Sequence, residues 1–353
     1  MTIEQHEQIY GADAAIPSPY TRTVYRCTFN AFLKYLDMEP AALLQQDRKT
    51  IESQIIGYIH YLSEKRHFNR YSINPPLAAI FHFYEMNDII INKRKVTRFI
   101  PQDDSEVTAE SIDRAYTHEE ISAIIQSTDP RGKVIIMLMA SAGLRMGAIS
   151  GLLIGHLTKI PEYNLYRIIV YASSRKSRYY TFVTPECATY IDAYLSFRKM
   201  FKDPLKPTSP LIREQFDISD PFAGYHAHPV KHRAVEWIVN SIIKRSGVKT
   251  KEVARSHGLR KFATTQMIKA KLDYSAREYL VGHKVSRGLD VNYDRTTEED
   301  RLQEYLKAVD LLTINSEHRL KLQIHQMRAE HSAEWNQLKE QMAELKKVLE
   351  HKV

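Results

Sequence analysis

Six side chains in this sequence have the types and spacing needed for chemistry at a phosphodiester. They are two guanidiniums, two imidazoles, one ammonium and one phenol, supplied by Arg145, Lys176, His257, Arg260, His283 and Tyr293. Two guanidiniums can each clamp non-bridging oxygens and neutralise the charge of a pentavalent transition state. The set is therefore suited to displacement at phosphorus by a nucleophile that the protein itself supplies.

Each member of the set has a candidate role. Tyr293 would attack, with help, because the pKa of a free phenol is near 10. His257 can accept the phenolic proton and later return it. Lys176, on a polar turn, can protonate the departing oxygen. Arg175 and Arg178 on the same turn are alternatives whose pKa values match a leaving group less well.

The sequence predicts no metal ion and no cofactor. No carboxylate cluster lies among these motifs to hold Mg²⁺, and the positive charge of the set replaces it. His226, His228 and His232 have a spacing that Zn²⁺ could use. Because no cysteine or acidic ligand lies nearby and Pro229 interrupts the run, DNA-backbone contacts or ordinary surface histidines are the favoured interpretation.

The order of the motifs is more informative than any one of them. Taken separately, each motif has an ordinary structural interpretation. Arg145 would be a surface arginine, His257 and Arg260 a pair on a helix surface, and Gly282-His283 a helix C-cap. Tyr293 is one of 21 tyrosines, and Tyr305 is an alternative nucleophile. Joint occurrence in one order favours the catalytic interpretation.

In this order the motifs resemble the active site of the tyrosine recombinases, the phage integrase family. The motifs that carry the resemblance are Gly143-Leu144-Arg145, the hairpin Lys176, His257-Gly258-Leu259-Arg260, Gly282-His283 and Tyr293, within roughly residues 117–312. The hairpin and Thr184-Pro185-Glu186-Cys187 are closer to archaeal and archaeal-element integrases. Ala148 departs from the family, which usually has Glu or Asp there.

The resemblance implies a site-specific DNA recombinase or integrase of a mobile element. It implies a 3′-phosphotyrosine intermediate formed by Tyr293 and a synapse in which four protomers join two duplexes. It also implies that the helix Glu298–Leu312 docks on a neighbouring protomer. Double-stranded DNA with a specific site and further copies of this chain are the expected partners.

The net charge agrees with a nucleic-acid partner. The 353 residues carry +8 at neutral pH, and three basic segments (93–98, 167–178 and 244–271) have the pattern of a surface that follows a phosphate backbone. The candidate DNA-binding residues are Lys93, Arg94, Lys95, Arg175, Arg178, Lys244, Arg245, Lys251, Arg255 and Lys261.

Composition limits the remaining classes of protein. Two cysteines cannot build a disulfide framework, and no apolar run approaches the ~20 residues of a bilayer span. We therefore expect no membrane partner and a cytoplasmic, nucleoid-associated protein.

Hydrophobic periodicity predicts a mainly α fold with a small antiparallel β-hairpin or sheet, an α+β catalytic domain. The predicted parts are a flexible N-terminus (1–16), a helical core-binding domain (17–95), a linker (96–116), a catalytic domain (117–312) and a coiled-coil tail (313–353). The core-binding assignment rests on the resemblance.

Local signals place several boundaries. Pro75-Pro76 is predicted to begin a helix at Leu77–Tyr84, Ser256 to cap a helix ending at Lys271, and Thr117 with Glu120 to form a capping box. The segments 165–171 and 179–184 are predicted to form a hairpin around the polar run 173–178.

Three other classes of protein share part of this pattern. A type IB topoisomerase uses similar chemistry as a monomer, but Gly282-His283 and the self-association tail favour a recombinase. A catalytically silent DNA-binding protein would not need all six polar residues. A coiled-coil scaffold would leave the internal basic segments unexplained.

Overall fold

The computed structural model describes residues 15–102, 114–249, 253, 255–283 and 296–321, together with positions 324, 335 and 339. The chain divides into two compact units, residues 1–108 and 109–353. The fold is mainly helical with one small antiparallel sheet, as the sequence predicts. In the described residues, no helix combines the length and apolar character that a membrane crossing requires.

The described part of the first unit is built from helices. They are α1 (Pro19–Leu36), α2 (Pro40–Leu43), α3 (Arg48–His60, followed by a π-helical turn at Tyr61–Lys65), α4 (Arg70–Met86) and α5 (Lys93–Val96, followed by a 3₁₀ turn at Thr97–Phe99). Ser18, Asp47 and Asn69 cap α1, α3 and α4 through their side-chain oxygens. The apolar faces of the helices meet in one core that includes Phe29, Phe32, Ile55, Ile80 and Phe83.

The prediction that Pro75-Pro76 begins a helix is wrong. Helix α4 starts at Arg70, capped by Asn69, and both prolines lie inside it. A proline interrupts a helix by leaving the carbonyl four residues earlier unpaired. Here those carbonyls belong to Tyr71 and Ser72 in the exposed first turns, where water can satisfy them.

The core of the first unit also extends beyond residue 95. Val96 and Ile100 are buried in it, so the start of the predicted linker packs as part of this unit. Tyr116, at the end of the predicted linker, is buried in the core of the second unit.

The second unit contains the sheet and the remaining helices. Its elements are α6 (His118–Gln126), α7 (Pro130–Ala142), α8 (Met146–Ile149), β1 (Leu157–Ile160), β2 (Leu165–Val170), β3 (Tyr179–Val183), α9 (Pro185–Met200), α10 (Ala223–His226), α11 (His232–Arg245), α12 (Arg255–Lys269), α13 (Tyr274–Leu280), α14 (Glu298–Leu306) and α15 (Val309–Leu312). The capping box of Thr117 and Glu120 is present at the start of α6, as predicted.

The sheet has the order β1-β2-β3, with both pairs antiparallel. The predicted hairpin is confirmed as β2 and β3, with Val170 opposite Tyr179 at the turn. Strand β1 was not predicted. It has only four residues, and none of them is fully buried, so its apolar signal is weak.

Helix α7 lies at the centre of the second unit. Residues 134–142 are buried all round it, so it carries the core rather than one face of it. Asp129 caps its start, and Gly143, with φ of +62°, ends it in the left-handed conformation that glycine adopts readily. Arg145 therefore leaves the core at a defined point.

The helices that follow Tyr293 pack within this chain. Leu302, Tyr305 and Leu312 are buried in the same core as α7. The structure divides this segment into α14 and α15, and its docking on a neighbouring protomer stays a prediction. The apolar positions of the segment already have partners in their own unit. Most of the predicted coiled-coil tail lies outside the described residues.

Tyr305 is excluded as a nucleophile by its position. Its side chain is fully buried, and its hydroxyl donates a hydrogen bond to the Ser141 carbonyl at 3.0 Å. Burial raises its pKa well above 10.

Candidate active site

An open cavity of about 620 Å³ in the second unit collects several of the residues singled out in the sequence. Three chain segments border it: the junction of α7 and α8, the turn between β2 and β3, and the C-terminal end of α13. The side chains and backbone that line it are Arg145, Tyr171, Ser174, Lys176, Ser177, Arg178, Tyr179, Tyr279, Gly282 and His283.

Arg145 lies two residues after Gly143, which has the left-handed backbone, and it is the N-cap residue of α8. Its side chain is exposed, and Nη1 donates to the Gly282 carbonyl at 2.8 Å. This hydrogen bond joins the first and the fourth motif across 137 residues of sequence. Arg145 also lines the cavity, so an anion there can reach its guanidinium.

Arg260 is buried and links the same two motifs, the one that contains Gly143 and the one that contains Gly282. It is only 5% exposed, and its guanidinium donates to the carbonyls of Gly143 and Val281. Burial lowers its pKa first, and the neighbouring charge of Arg145 lowers it further. Two guanidiniums that repel each other in a partly buried site are relieved by an anion between them. The pair is therefore a candidate anion site.

The turn Gly282-His283 ends helix α13 and also orients the His283 imidazole. Gly282 has φ of +67°, and the His283 N–H donates to the Glu278 carbonyl at 2.9 Å, which ends α13. The Glu278 side chain turns back and accepts a hydrogen bond from His283 Nδ1 at 2.7 Å. Because a carboxylate accepts only, Nδ1 carries the proton and Nε2 is left for a ligand.

Glu278 is a residue that the sequence reasoning missed. Arg277 Nε contacts its other oxygen at 3.3 Å, so both carboxylate oxygens are engaged. The available signal in the sequence was an acidic residue five positions before a histidine. Side chains five residues apart come into contact here because the helix ends between them.

The turn between the strands presents an exposed group of cations. Lys176 and Arg178 line the cavity, whereas Arg175 does not, although it lies on the same turn. All three side chains are exposed, and none of them pairs with an acidic group in the described part of the chain. The hydrogen bond from Arg178 N to the Ser174 carbonyl at 3.0 Å closes the turn.

Arg145, Lys176 and His283 line this cavity, whereas Arg260 and His257 do not. His257 lies in the first turn of α12, one turn before Arg260. Helix α12 begins at Arg255, so Ser256 lies inside it, and the prediction that Ser256 is its N-cap is wrong. Tyr293, like the DNA-binding candidate Lys251, lies outside the described residues.

The basic segment of the first unit serves partly as internal structure. Lys95 Nζ contacts the buried Glu52 carboxylate at 2.7 Å, and Lys93 Nζ contacts Glu85 at 2.8 Å. The hydrogen bond from Lys95 lowers the pKa of Glu52 to about 2, with Arg48 as the second cause. Arg94 is exposed and has no acidic partner among the described residues. The DNA-binding role of Lys93, Arg94 and Lys95 stays a prediction.

A second basic surface lies on α11 and the start of α12. Lys244 and Arg255 border an open cavity of about 720 Å³ together with Trp237, whose side chain is 69% exposed. Arg245 is exposed close by, and Lys261 is half-buried on α12. Sequence reasoning missed Trp237, whose signal was an indole on the polar side of an amphipathic helix. Arg167, by contrast, pairs with Glu298 at 2.5 Å.

The three histidines of the possible metal site are all described. No group of three or more His, Cys, Asp or Glu side chains in the described residues has an arrangement that could hold a metal ion. His232 is the first residue of α11 and lies against Gly147, where an added Cβ would come within 2.8 Å of Nε2.

The fold and the cavity together indicate the class of protein. A helical unit is followed by a mixed unit that has a three-stranded sheet and a cavity lined by cations. The phage integrase family matches residues 114–300, more than half of the chain. The chain therefore belongs to the phage integrase family, whose members are tyrosine-type site-specific recombinases. No curated protein matches the sequence significantly.

Solved structures share the fold. A lambda integrase tetramer bound to a Holliday junction is 15% identical, with a TM-score of 0.54, and the match covers 85% of this chain and 78% of that one. The XerH site-specific recombinase bound to difH substrate is 16% identical, with a TM-score of 0.52 and coverage of 81% and 78%. A lambda integrase(75–356) dimer bound to a COC′ core site is 15% identical, with a TM-score of 0.52 and coverage of 80% and 96%.

Proposed function

We propose that this protein is a site-specific DNA recombinase that cleaves and rejoins DNA strands through a covalent 3′-phosphotyrosine, without a metal ion. One observation carries the proposal: Arg145, Lys176 and His283 line a single cavity, and Arg260 ties together the two backbone turns that form its wall. Family membership supports it independently.

The reaction is a transesterification at phosphorus. The phenolic oxygen of Tyr293 bonds to phosphorus while the bond from phosphorus to the 5′ oxygen breaks. The phenolic proton passes to His257, and Lys176 donates a proton to the departing 5′ oxygen. The product is a 3′-phosphotyrosine and a free 5′ hydroxyl. Attack by another 5′ hydroxyl reverses the step and rejoins the strands.

Charge stabilisation falls to the other three residues. Arg145 and Arg260 neutralise the non-bridging oxygens as negative charge builds up on them. His283 donates a further hydrogen bond through Nε2 when it is protonated, because Nδ1 is held by Glu278. A rigid set of donors needs little reorganisation during the reaction, which is why backbone carbonyls hold both guanidiniums.

The DNA is the macromolecular partner in this proposal. The cations of the hairpin turn and the surface around Trp237 would contact backbone phosphates from the second unit, and Arg94 would do so from the first. In this view residues 17–95 form the core-binding domain and residues 117–312 the catalytic domain. The XerH and lambda integrase structures named above are bound to DNA, which supports this partner.

The test traps the covalent intermediate. A randomised duplex library is incubated with the full chain in EDTA, denatured, and protein-bound strands are recovered and sequenced. We expect a covalent adduct on a defined sequence, lost in Tyr293→Phe and kept in Tyr305→Phe. Absence of an adduct with the wild-type protein, or its persistence in Tyr293→Phe, refutes the proposal.

The role of Lys176 has its own test. A 5′-bridging phosphorothiolate places sulfur at the leaving position, and a thiolate leaves without a proton. Lys176→Ala should therefore cleave the ordinary recovered site slowly and the sulfur-containing site at nearly the wild-type rate. If Lys176→Ala cleaves ordinary DNA normally, Arg178, which also lines the cavity, takes over the role.

Assembly is the last part of the proposal. One of the similar lambda integrase structures is a tetramer bound to a Holliday junction, and from this likeness we infer a tetrameric synapse here. The apolar seam predicted in the tail would reinforce it. Removal of residues 322–353 should lower the number of protomers in the protein–DNA complex, calculated from its mass in light scattering. An unchanged number of protomers would show that the tail is not needed for assembly.

A further inference from the structure

We propose that Tyr179 is a further catalytic residue, whose hydroxyl donates a hydrogen bond to a non-bridging oxygen of the scissile phosphate. The inference rests on the proposed function and adds a donor to its site. Tyr179 is the first residue of β3, immediately after the cationic turn, and it lines the same cavity as Arg145, Lys176 and His283.

The hydroxyl of Tyr179 is buried, and its proton has no acceptor among the described residues. The side chain is 6% exposed, and the Arg260 guanidinium is the neighbour that can donate to its oxygen, but no described group accepts its proton. Leaving a buried hydroxyl unpaired costs about 1–3 kcal/mol, so such groups are uncommon unless a ligand pairs with them. The residue therefore carries an unused hydrogen-bonding group at the cavity.

The surroundings of Tyr179 determine what the missing partner must be. Its charged neighbours are the guanidiniums of Arg260 and Arg145. A guanidinium only donates hydrogen bonds, so neither can accept the phenolic proton. An acceptor that enters between two guanidiniums is an anion, and a phosphodiester oxygen meets both requirements.

The ring is held in place by the backbone opposite it. A Cβ added at Gly282 would lie 2.4 Å from both Cε1 and Cζ of Tyr179, so the ring packs directly on this glycine. The Tyr171 ring lies on another side, with centroids 6.3 Å apart. A donor fixed between a strand and a turn keeps its direction during the reaction, which is what transition-state stabilisation requires.

The hydroxyl is suited to donation and not to attack. Burial is the main cause that raises the pKa of Tyr179 to about 12, against the smaller opposing effect of Arg260. The phenol therefore keeps its proton at neutral pH. This property separates it from the proposed nucleophile Tyr293, which must lose its proton.

The test compares Tyr179→Phe with Tyr180→Phe on the recovered site. Tyr180 is the next residue of β3, its hydroxyl accepts a hydrogen bond from Arg301 at 2.8 Å, and it does not line the cavity. We expect Tyr179→Phe to slow adduct formation about 100–1,000-fold, as loss of one oxyanion donor does. Tyr180→Phe should react at close to the wild-type rate.

Methylphosphonate substrates distinguish catalysis from packing. Each diastereomer replaces one non-bridging oxygen of the scissile phosphate by a methyl group. The effect of Tyr179→Phe should vanish on the diastereomer that lacks the oxygen it contacts and persist on the other. An equal effect on both diastereomers and on the normal phosphate would mean a structural role and overturn the inference.

Stability provides a second, independent readout. Because the phenolic proton has no acceptor among the described groups of the free protein, removing the hydroxyl should change the urea midpoint little, and a large fall in the midpoint contradicts the inference. A wild-type protein that forms no adduct would count against the proposed function. A reactive wild type with an equally reactive Tyr179→Phe would count against this inference alone.

Discussion

Replacing Gly282 by alanine tests whether the turn that carries His283 is held by direct contact with Tyr179. The substitution introduces two separate costs. One is the left-handed backbone at φ +67°, which L-residues adopt at a cost of about 1–2 kcal/mol. The other is overlap of the new Cβ with the Tyr179 ring at 2.4 Å, and overpacking of this kind costs about 1–3 kcal/mol.

Two other glycines separate these costs. Gly247 has φ of +72° with no atom within 4 Å of an added Cβ, so Gly247→Ala carries the backbone cost alone. Gly143 has φ of +62° with Val281 Cγ1 at 3.3 Å, an intermediate case. Alanine also restricts the unfolded chain, which returns about 0.4–1 kcal/mol in all three. We expect destabilisation of about 1 kcal/mol at Gly247 and about 2–4 kcal/mol at Gly282, with Gly143 between them.

Tryptophan fluorescence makes the measurement specific. Both tryptophans, Trp237 and Trp335, belong to the second unit, so urea unfolding followed by fluorescence reports on the unit that contains these glycines. Adduct formation is measured in parallel, and Gly282→Ala should lose it while Gly247→Ala keeps it. Equal destabilisation by Gly247→Ala and Gly282→Ala would refute the contact between Gly282 and Tyr179.

Three further predictions follow from single contacts. Glu52→Gln should destabilise the first unit by about 1–2 kcal/mol at neutral pH in calorimetry. The Glu52 pKa is lowered to about 2 from 4.5, so this stability is present above pH 4.5 and lost as the pH falls towards 2, and a pH-independent difference would contradict it. The double variant Arg175→Ala, Arg178→Ala should reduce the slope of log affinity against log salt by about 2, whereas Lys321→Ala, whose ammonium pairs with Glu317 at 2.6 Å, should leave it unchanged. Tyr305→Phe should cost about 1 kcal/mol in the fluorescence assay through its lost bond to Ser141 and still form the DNA adduct, so loss of the adduct would oppose the assignment of Tyr293.

Much of the fold could be predicted from the sequence because its signals are local. The hairpin of β2 and β3 lies where the apolar runs around residues 173–178 indicated it, and the capping box at Thr117 needs only residues three positions apart. The prediction of the helix start failed at Pro75 and Pro76. The carbonyls that these prolines leave unpaired lie in exposed turns, where water can satisfy them, so the helix continues through both prolines. The sequence also failed to predict β1, whose four residues have little apolar character.

The amino-acid sequence by itself determined the kind of chemistry, because the side-chain types and their order along the chain limit what can react. Only the tertiary structure decided which of those groups are available and what else joins them. Lys95 is occupied by Glu52 across 43 residues, and Tyr179 meets Gly282 across more than a hundred. Such contacts depend on how distant segments pack, and the energy of burying a charge or a hydroxyl is set by those neighbours and by no feature of the local sequence.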